Sequence, residues 1–336
     1  MTDPTKNLST EQRLLLAFVL MGGVIFLSQY LLPKPPQPVA QQQKKIAEPA
    51  KQLESPAATP AATPAATPAA SAVQVGQQAE FPVFENDLYK VKFSNKGAVV
   101  MEWHLKKFKD ANDKLLNLVN DENATQLGSR PFAYNFKDQK PSVDLNEKLF
   151  AVSRNADGIV FDYSDGATVA RKSFRFTPSR YLVEVDSAVS EKTASLTHAL
   201  IWRGGFGDQT VPKAYAAQFA VYLPPSDSSP TTIENSKASD GPIANAGSYV
   251  FAGLQDQYFA AVALPKPGQT IELTALSDSL PDPPKSTDRA AFVGVGLSIV
   301  GRNQFAMFVG PKDLDLLSET DKRLVSLVDW GWFGWI

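Results

Sequence analysis

Apolar positions follow three regimes along the chain. From Leu14 to Leu27 they are uninterrupted; Ser28, Gln29 and Tyr30 dilute them before Leu31-Leu32, and Pro33 ends the run. A helix over Leu14 to Leu32 would be roughly 28 Å long, close to the hydrocarbon thickness of a bilayer. Leu14, Phe18, Leu20, Val24, Phe26 and Leu32 supply the predicted membrane anchor, with Tyr30 where interfacial aromatics collect. A cleavable signal is the competing reading, and it wants a shorter apolar core followed by a small-x-small site. Here Pro33-Lys34-Pro35-Pro36 follows directly, and Pro38-Val39-Ala40 has proline where a small residue belongs, so the anchor is preferred. Lys6 and Arg13 before the segment and Lys34, Lys44 and Lys45 after it leave orientation undecided by charge. A short cytoplasmic tail, 1–13, with the large domain outside is the preferred arrangement.

The second regime, 33–80, has no apolar period. Ala57-Ala58-Thr59-Pro60 recurs at 61–64 and 65–68. Proline at this density blocks helix and sheet and favours extended polyproline-like chain. Such a tether reaches roughly 140 Å when extended and spans on the order of 40 Å as a coil. It is a leash.

The third regime, 81–310, alternates with period two. Tyr89, Val91 and Phe93 form one inward set; Val99, Met101, Trp103 and Leu105 form the next, after the Asn95-Lys96-Gly97 turn. Phe132, Tyr134 and Phe136, then Ile159, Phe161 and Tyr163, then Tyr181, Val183 and Val185 continue it. Leu196, His198, Leu200 and Trp202 share a face until Gly204-Gly205 breaks the strand. Further strands are expected at 219–223, 249–251, 258–264, 292–300 and 305–309, with long loops at 224–241 and 280–288. Many short strands with turn signals between them predict a mainly β, large antiparallel sandwich.

Helical period returns only at the end. After Pro311-Lys312-Asp313, Leu314, Leu317, Leu324, Val325 and Val328 fall on one stripe opposite Glu319, Asp321, Lys322 and Arg323. The stripe runs into Trp330, Trp332, Phe333 and Trp335. Leu314, Leu317, Leu324, Val328 and those four aromatics are the predicted membrane-interface residues, since indole and phenyl rings concentrate there. The alternative is a helix that closes the sandwich, with the aromatics as core plugs. The run stops at Ile336 as though another membrane span should follow.

Composition narrows the chemistry. The 336 residues carry a formal net charge of -2 and no cysteine, which removes disulfides, thiolate nucleophiles and cysteine-held metals. No basic footprint for nucleic acid is present. No cofactor, metal or small-molecule substrate is expected.

Several stretches carry a resemblance. They are Glu11-Gln12-Arg13 with Leu14 to Leu20, Ser94-Asn95-Lys96-Gly97-Ala98, Trp103-His104-Leu105-Lys106-Lys107-Phe108 and Gln255-Asp256-Gln257-Tyr258-Phe259-Ala260-Ala261. The most specific is Phe308-Val309-Gly310-Pro311-Lys312-Asp313-Leu314-Asp315-Leu316-Leu317, leading to Val328-Asp329-Trp330-Gly331-Trp332-Phe333. In these residues and in the order of its parts, the chain resembles the amino-terminal portion of the YidC/Oxa/Alb family of bacterial membrane protein insertases. The likeness is strong in the last thirty or so residues and rests on strand pattern alone between Leu115 and Tyr249. It implies a twisted β-supersandwich, similar to galactose mutarotase, on the periplasmic side of the inner membrane. It also implies that a five-helix insertion core with an arginine-bearing groove lies beyond Ile336. The partners implied are the lipid bilayer, the Sec translocon with its accessory subunits, and nascent membrane proteins.

Two other readings remain. A single-span anchored periplasmic adaptor shares the anchor, tether and sandwich. The mutarotase-like fold raises an enzyme, which would need His104 or His198 to face Glu102, Glu184 or another carboxylate in a polar cleft. Gly204-Gly205-Phe206-Gly207 has no phosphate-loop context, and Asp110, Asp113, Asp121 and Glu122 lack calcium-loop spacing. No catalytic residue is assigned.

Overall fold

A computed structural model describes residues 73–211, 217–282 and 285–328. Three antiparallel sheets carry the fold. The first contains β1 (Val83–Glu85), β2 (Tyr89–Ser94), β3 (Val99–Lys109) and β4 (Leu115–Asn117), in that order. The second, five-stranded sheet runs β14 (Ile243–Ser248), β17 (Thr270–Pro281), β18 (Arg289–Ser298), β11 (Ala199–Trp202), β5 (Ala133–Asn135).

The large sheet begins with β13 (Thr231–Glu234), β12 (Phe219–Leu223), β15 (Phe251–Gln255) and β16 (Phe259–Leu264). It continues through β19 (Arg302–Pro311), β9 (Leu182–Glu191), β8 (Thr168–Phe176), β7 (Gly158–Ser164) and β6 (Ala151–Asn155); β10 (Ala194–Ser195) pairs with β9. Two short helices, α1 (Asp121–Leu127) and α2 (Leu314–Thr320), and a 3-10 turn (Lys322–Leu327) complete the described elements.

The period-two sets of the sequence become the core. Tyr89, Val91 and Phe93 are all buried on β2, while Trp103 and Leu105 are buried on β3. Rings from all three sheets meet there. Tyr89 and Trp103 cross edge to face at 5.5 Å, Phe132 meets Phe174 at 5.0 Å, and Trp202 meets Phe206 at 5.3 Å. Edge-to-face contact puts a positive ring edge on a negative face, which adds to the burial of large apolar area. The Tyr89 hydroxyl, within this apolar centre, donates to the Val309 carbonyl at 2.7 Å and so ties the first sheet to the large one.

Some expectations are corrected. Between Pro224 and Gly241 an unbroken loop was expected, but Thr231–Glu234 forms β13. The second expected loop is bounded by β17, which reaches Pro281, and by β18, which starts at Arg289. β8 and β17 are the longest of the strands that the alternation does not lead one to expect. On β8 the inward set is Thr168, Ala170, Lys172, Phe174 and Phe176, and a lysine interrupts its apolar signature. Residues 74–78, expected in the tether, attach to the domain: Gln74 bridges Ser164, Gly76 N donates to Leu149 O at 2.9 Å, and Asn95 Nδ2 donates to Gln78 O.

Candidate membrane-proximal site

The segment singled out as a membrane interface begins where β19 leaves the large sheet. Beyond Phe308, β19 is paired in register only with β16, and Pro311 stands opposite Phe259 on that last stretch. A proline without N–H is tolerated there because no second neighbour needs its donor. Lys312 N then donates to Tyr258 O at 2.7 Å and turns the chain. Asp313 caps α2, its Oδ1 accepting from Asp315 N and Leu316 N at 3.1 Å each, which satisfies two orphan donors of the first turn.

The single amphipathic helix expected over this stretch is two pieces. Asp321 takes an extended conformation, donates its N–H to Leu317 O, and accepts from Arg323 N at 2.9 Å, so it ends α2 and starts the 3-10 turn. The Arg323 guanidinium grips the same carboxylate at 3.0 and 2.6 Å, and this holds the Asp321 carboxyl below the usual range.

The predicted stripe exists from Leu317 onward, and there it faces protein. Leu317 and Leu324 are fully buried in the main core with Leu327, and Val328 is half-buried against them. For Leu317 and Leu324 of the predicted interface set, packing on the sandwich takes the surface that lipid would otherwise cover, while Val328 keeps part of its surface exposed. Leu314 alone among the described members of that set is exposed, at 38%. Trp330, Trp332, Phe333 and Trp335, and the anchor set Leu14, Phe18, Leu20, Val24, Phe26, Tyr30 and Leu32, lie outside the described residues. Among the described residues no helix is long and apolar enough to cross a membrane.

Beside this exit lies the Gln255-to-Ala261 stretch, which sequence reading noted only as a motif. The Asp256 carboxylate accepts from Tyr258 N at 2.7 Å and Phe259 N at 2.6 Å, fixing a tight turn. Burial pushes its pKa up, and those donors with the nearby Lys312 charge pull it back. Gly207 is required at this turn: its φ is +90°, and a Cβ there would sit 1.7 Å from Asp256 Oδ2. The turn presents Tyr258 outward, 52% exposed, next to Lys312. An amphipathic ring at that position suits a wet, partly apolar boundary.

The two histidines separate. His104 Nε2 lies 3.0 Å from Glu102 Oε2 on the surface of β3, and Lys92 holds the other carboxylate oxygen at 3.1 Å. Burial raises the Glu102 carboxyl, but the hydrogen bonds from His104 and Lys92 outweigh it and leave it lowered. This histidine and carboxylate bind each other, two residues apart on one strand, rather than flanking a space where a substrate proton would sit. His198 is buried, with Nε2 2.8 Å from Ser187 Oγ and Nδ1 3.1 Å from Leu196 O. Glu184 pairs with Arg175 instead.

The group that sequence reading missed is Lys172. It is fully buried, and its Nζ donates to Gly97 O at 3.2 Å, Ala98 O at 3.0 Å and Phe132 O at 2.6 Å, with the Tyr134 ring centroid 3.8 Å away. All three carbonyls belong to residues with left-handed backbone, φ 74°, 51° and 68°. Three acceptors and a ring face match the three hydrogens of an ammonium. Burial acts the other way and lowers the amine's pKa well below the usual lysine value.

The sequence matches the family described as the YidC periplasmic domain over residues 83–336. It is similar to proteins named membrane protein insertase YidC. One from Geotalea uraniireducens is 24% identical over 96% of this chain and 61% of the relative. One from Syntrophus aciditrophicus is 25% identical over 97% and 63%, and one from Citrifermentans bemidjiense is 26% identical over 96% and 62%. The chain thus spans about three-fifths of the length of these curated relatives. Among solved structures, it is similar to a galactose mutarotase-like protein from Lactobacillus casei, with a TM-score of 0.45 and 11% identity over 69% of this chain and 100% of that one. A putative aldose 1-epimerase from Escherichia coli K12 gives a TM-score of 0.40 and 11% identity over 70% and 99%.

Proposed function

Because the chain belongs to the YidC periplasmic domain family, we propose that it is the amino-terminal portion of a membrane protein insertase of the bacterial inner membrane. Leu14 to Leu32 anchors it, 33 to about 72 is the leash, and the β domain stands in the periplasm as one twisted supersandwich. The aromatic run Trp330 to Trp335 leads back into the bilayer, with Leu314 and Tyr258 at the boundary. The observation that carries this reading is the family match from 83 to 336, which spans the first sheet, the large sheet and the exit turns alike.

In this role the complete protein lowers the cost of carrying polar flanks of a nascent membrane protein across hydrocarbon, several kcal/mol per uncompensated group. The portion here supplies anchor, spacer and a periplasmic contact surface. Its partners are nascent membrane proteins and, on this reading, the Sec translocon with its accessory subunits. On this reading the activity is one of binding and placement rather than bond chemistry.

Depleting the gene product from its own cells tests the reading. Newly made single-span membrane proteins should then stay uninserted and protease-resistant in spheroplasts, while the β domain of the undepleted protein is digested by protease added from outside. Normal insertion after depletion, or a domain protected in intact spheroplasts, would overturn it.

A further inference from the structure

The two flanking sheets and the large sheet expose seven edge strands among the described residues. Six are blunted. β1, β4 and β5 have three residues each, β10 has two, and β6 and β13 carry Arg154 and Glu234. Short length and charge are the usual ways of keeping a sheet edge from pairing with another chain. β14 has neither. Its six residues, Ile243-Ala244-Asn245-Ala246-Gly247-Ser248, contain no charge and no proline, and among the described residues it pairs only with β17. In an antiparallel edge strand every second residue points its N–H and C=O away from the sheet.

A second feature lies beside that edge. Ala244, Ala246 and Ser248 point to the outer face, and there a groove of about 600 Å³ crosses the sheet, lined among others by Ala244, Ala246, Thr274, Leu276, Ala199 and Ser298. Of the three charged residues that border it, Lys137 and Glu272 pair with each other at 3.4 Å and Asp138 stands beside them. Side chains on β14 are too small to fill the groove. Large side chains on a strand added next to β14 reach diagonally across 5–8 Å or so and would lean over the alanines into it.

We infer that β14 is a docking edge for an extended, uncharged polypeptide segment with apolar side chains at alternate positions, added as a sixth strand. Backbone hydrogen bonds along roughly 20 Å of edge supply affinity, and the groove selects the alternate side chains. A second copy of this chain fits less well, because the outward set of its own β14, Ala244, Ala246 and Ser248, would bring only small side chains and leave the groove unfilled. The inference rests on the proposed insertase reading only for the source of the segment, a periplasmic stretch of a client before it folds; the edge stands on the geometry.

The probe is a short fluorescein-labelled peptide of alternating Val and Thr, titrated into the purified full chain in detergent and read by anisotropy and by hydrogen exchange. Saturable binding with slowed exchange at 243–248 is expected. The Ala244→Lys/Ala246→Lys double variant should weaken binding at least about tenfold. N-methylation of alternate peptide residues should do the same, and Thr232→Lys on β13 should leave binding unchanged. Four results would overturn the inference: no saturable binding, equal affinity in the double variant, protection at another edge, or a dimer whose 243–248 amides are already slow without peptide. None of these readouts depends on insertion in cells, so failure here and failure of the insertase reading are separable.

Discussion

Between the large and small sheets, polar side chains are buried and the backbone serves them. Lys172 meets three carbonyls, His198 has Ser187 and the Leu196 carbonyl, and Asn303 accepts from Ile299 N while donating to His198 O. In the last described turns the arrangement is inverted. Apolar Leu317, Leu324 and Leu327 are buried, and the polar side chains of Asp313 and Asp321 serve the backbone from outside. The first region spends desolvation to fix where irregular segments lie; the second gains from burial and needs only two caps to turn the chain. A charge inside is costly to disturb because its partners cannot find water, whereas a cap at the surface can be replaced by solvent.

The largest break in that comparison is Lys172→Met. The thioether fills most of the volume but donates nothing, so the Gly97, Ala98 and Phe132 carbonyls lose their buried partner. At about 1–2 kcal/mol for each stranded acceptor, the domain should lose on the order of 4 kcal/mol in urea unfolding. If removing the desolvated charge outweighs the stranded carbonyls, stability will hold or rise, and the lysine is then no organising centre.

The next effect sharpens the same region through pH. Burial, with the nearby Lys172 charge, lowers His198 from its usual 6.5 to about 4. The unfolded chain therefore takes up a proton between those values that the folded chain refuses. The contribution is complete above pH 6.5, falls as pH drops toward 4, and is level below it. The difference is about 3 kcal/mol. His198→Gln should flatten this part of the stability–pH curve, and an unchanged slope would mean that the buried imidazole is not its source.

Much of this was legible in the chain. Alternation marked most of the strands that build the core, because one buried face leaves a period-two trace that a polar interruption rarely hides. Lys172 was hidden by being the exception: its position in the inward set of β8 was readable, but residue type argued against burial. β14 left no trace, since Ile-Ala-Asn-Ala-Gly-Ser has too little apolar contrast to show a face. The exit turns failed differently. From Leu317 to Val328 the expected stripe is a covered face, whereas Leu314 falls on the exposed side, and a sandwich surface and a lipid surface demand the same spacing. Sequence periodicity states that a face is covered and does not say by what. Asp321, able to cap as well as to sit on a polar face, was the available sign that the helix breaks.

The smallest of the three effects settles which medium covers that stripe. Leu317 is fully buried, on the first of two turns that together close one end of the core. Leu317→Ala removes three buried carbons and leaves a cavity, and core leucines cost about 2–5 kcal/mol on such truncation. The low end, about 2 kcal/mol, is expected here, because α2 has seven residues and can shift toward the void. Leu314→Ala, on the exposed side of the same helix, is the internal reference and should change stability by less than about 0.5 kcal/mol. If instead detergent or lipid covered this stripe, the two substitutions would be alike: Leu317→Ala would leave the urea midpoint in place, and both would weaken attachment to liposomes. A difference in unfolding, with liposome attachment weakened by Leu314→Ala and left in place by Leu317→Ala, assigns the buried stripe to the protein and leaves Tyr258, Leu314 and the aromatic run as the groups that meet lipid.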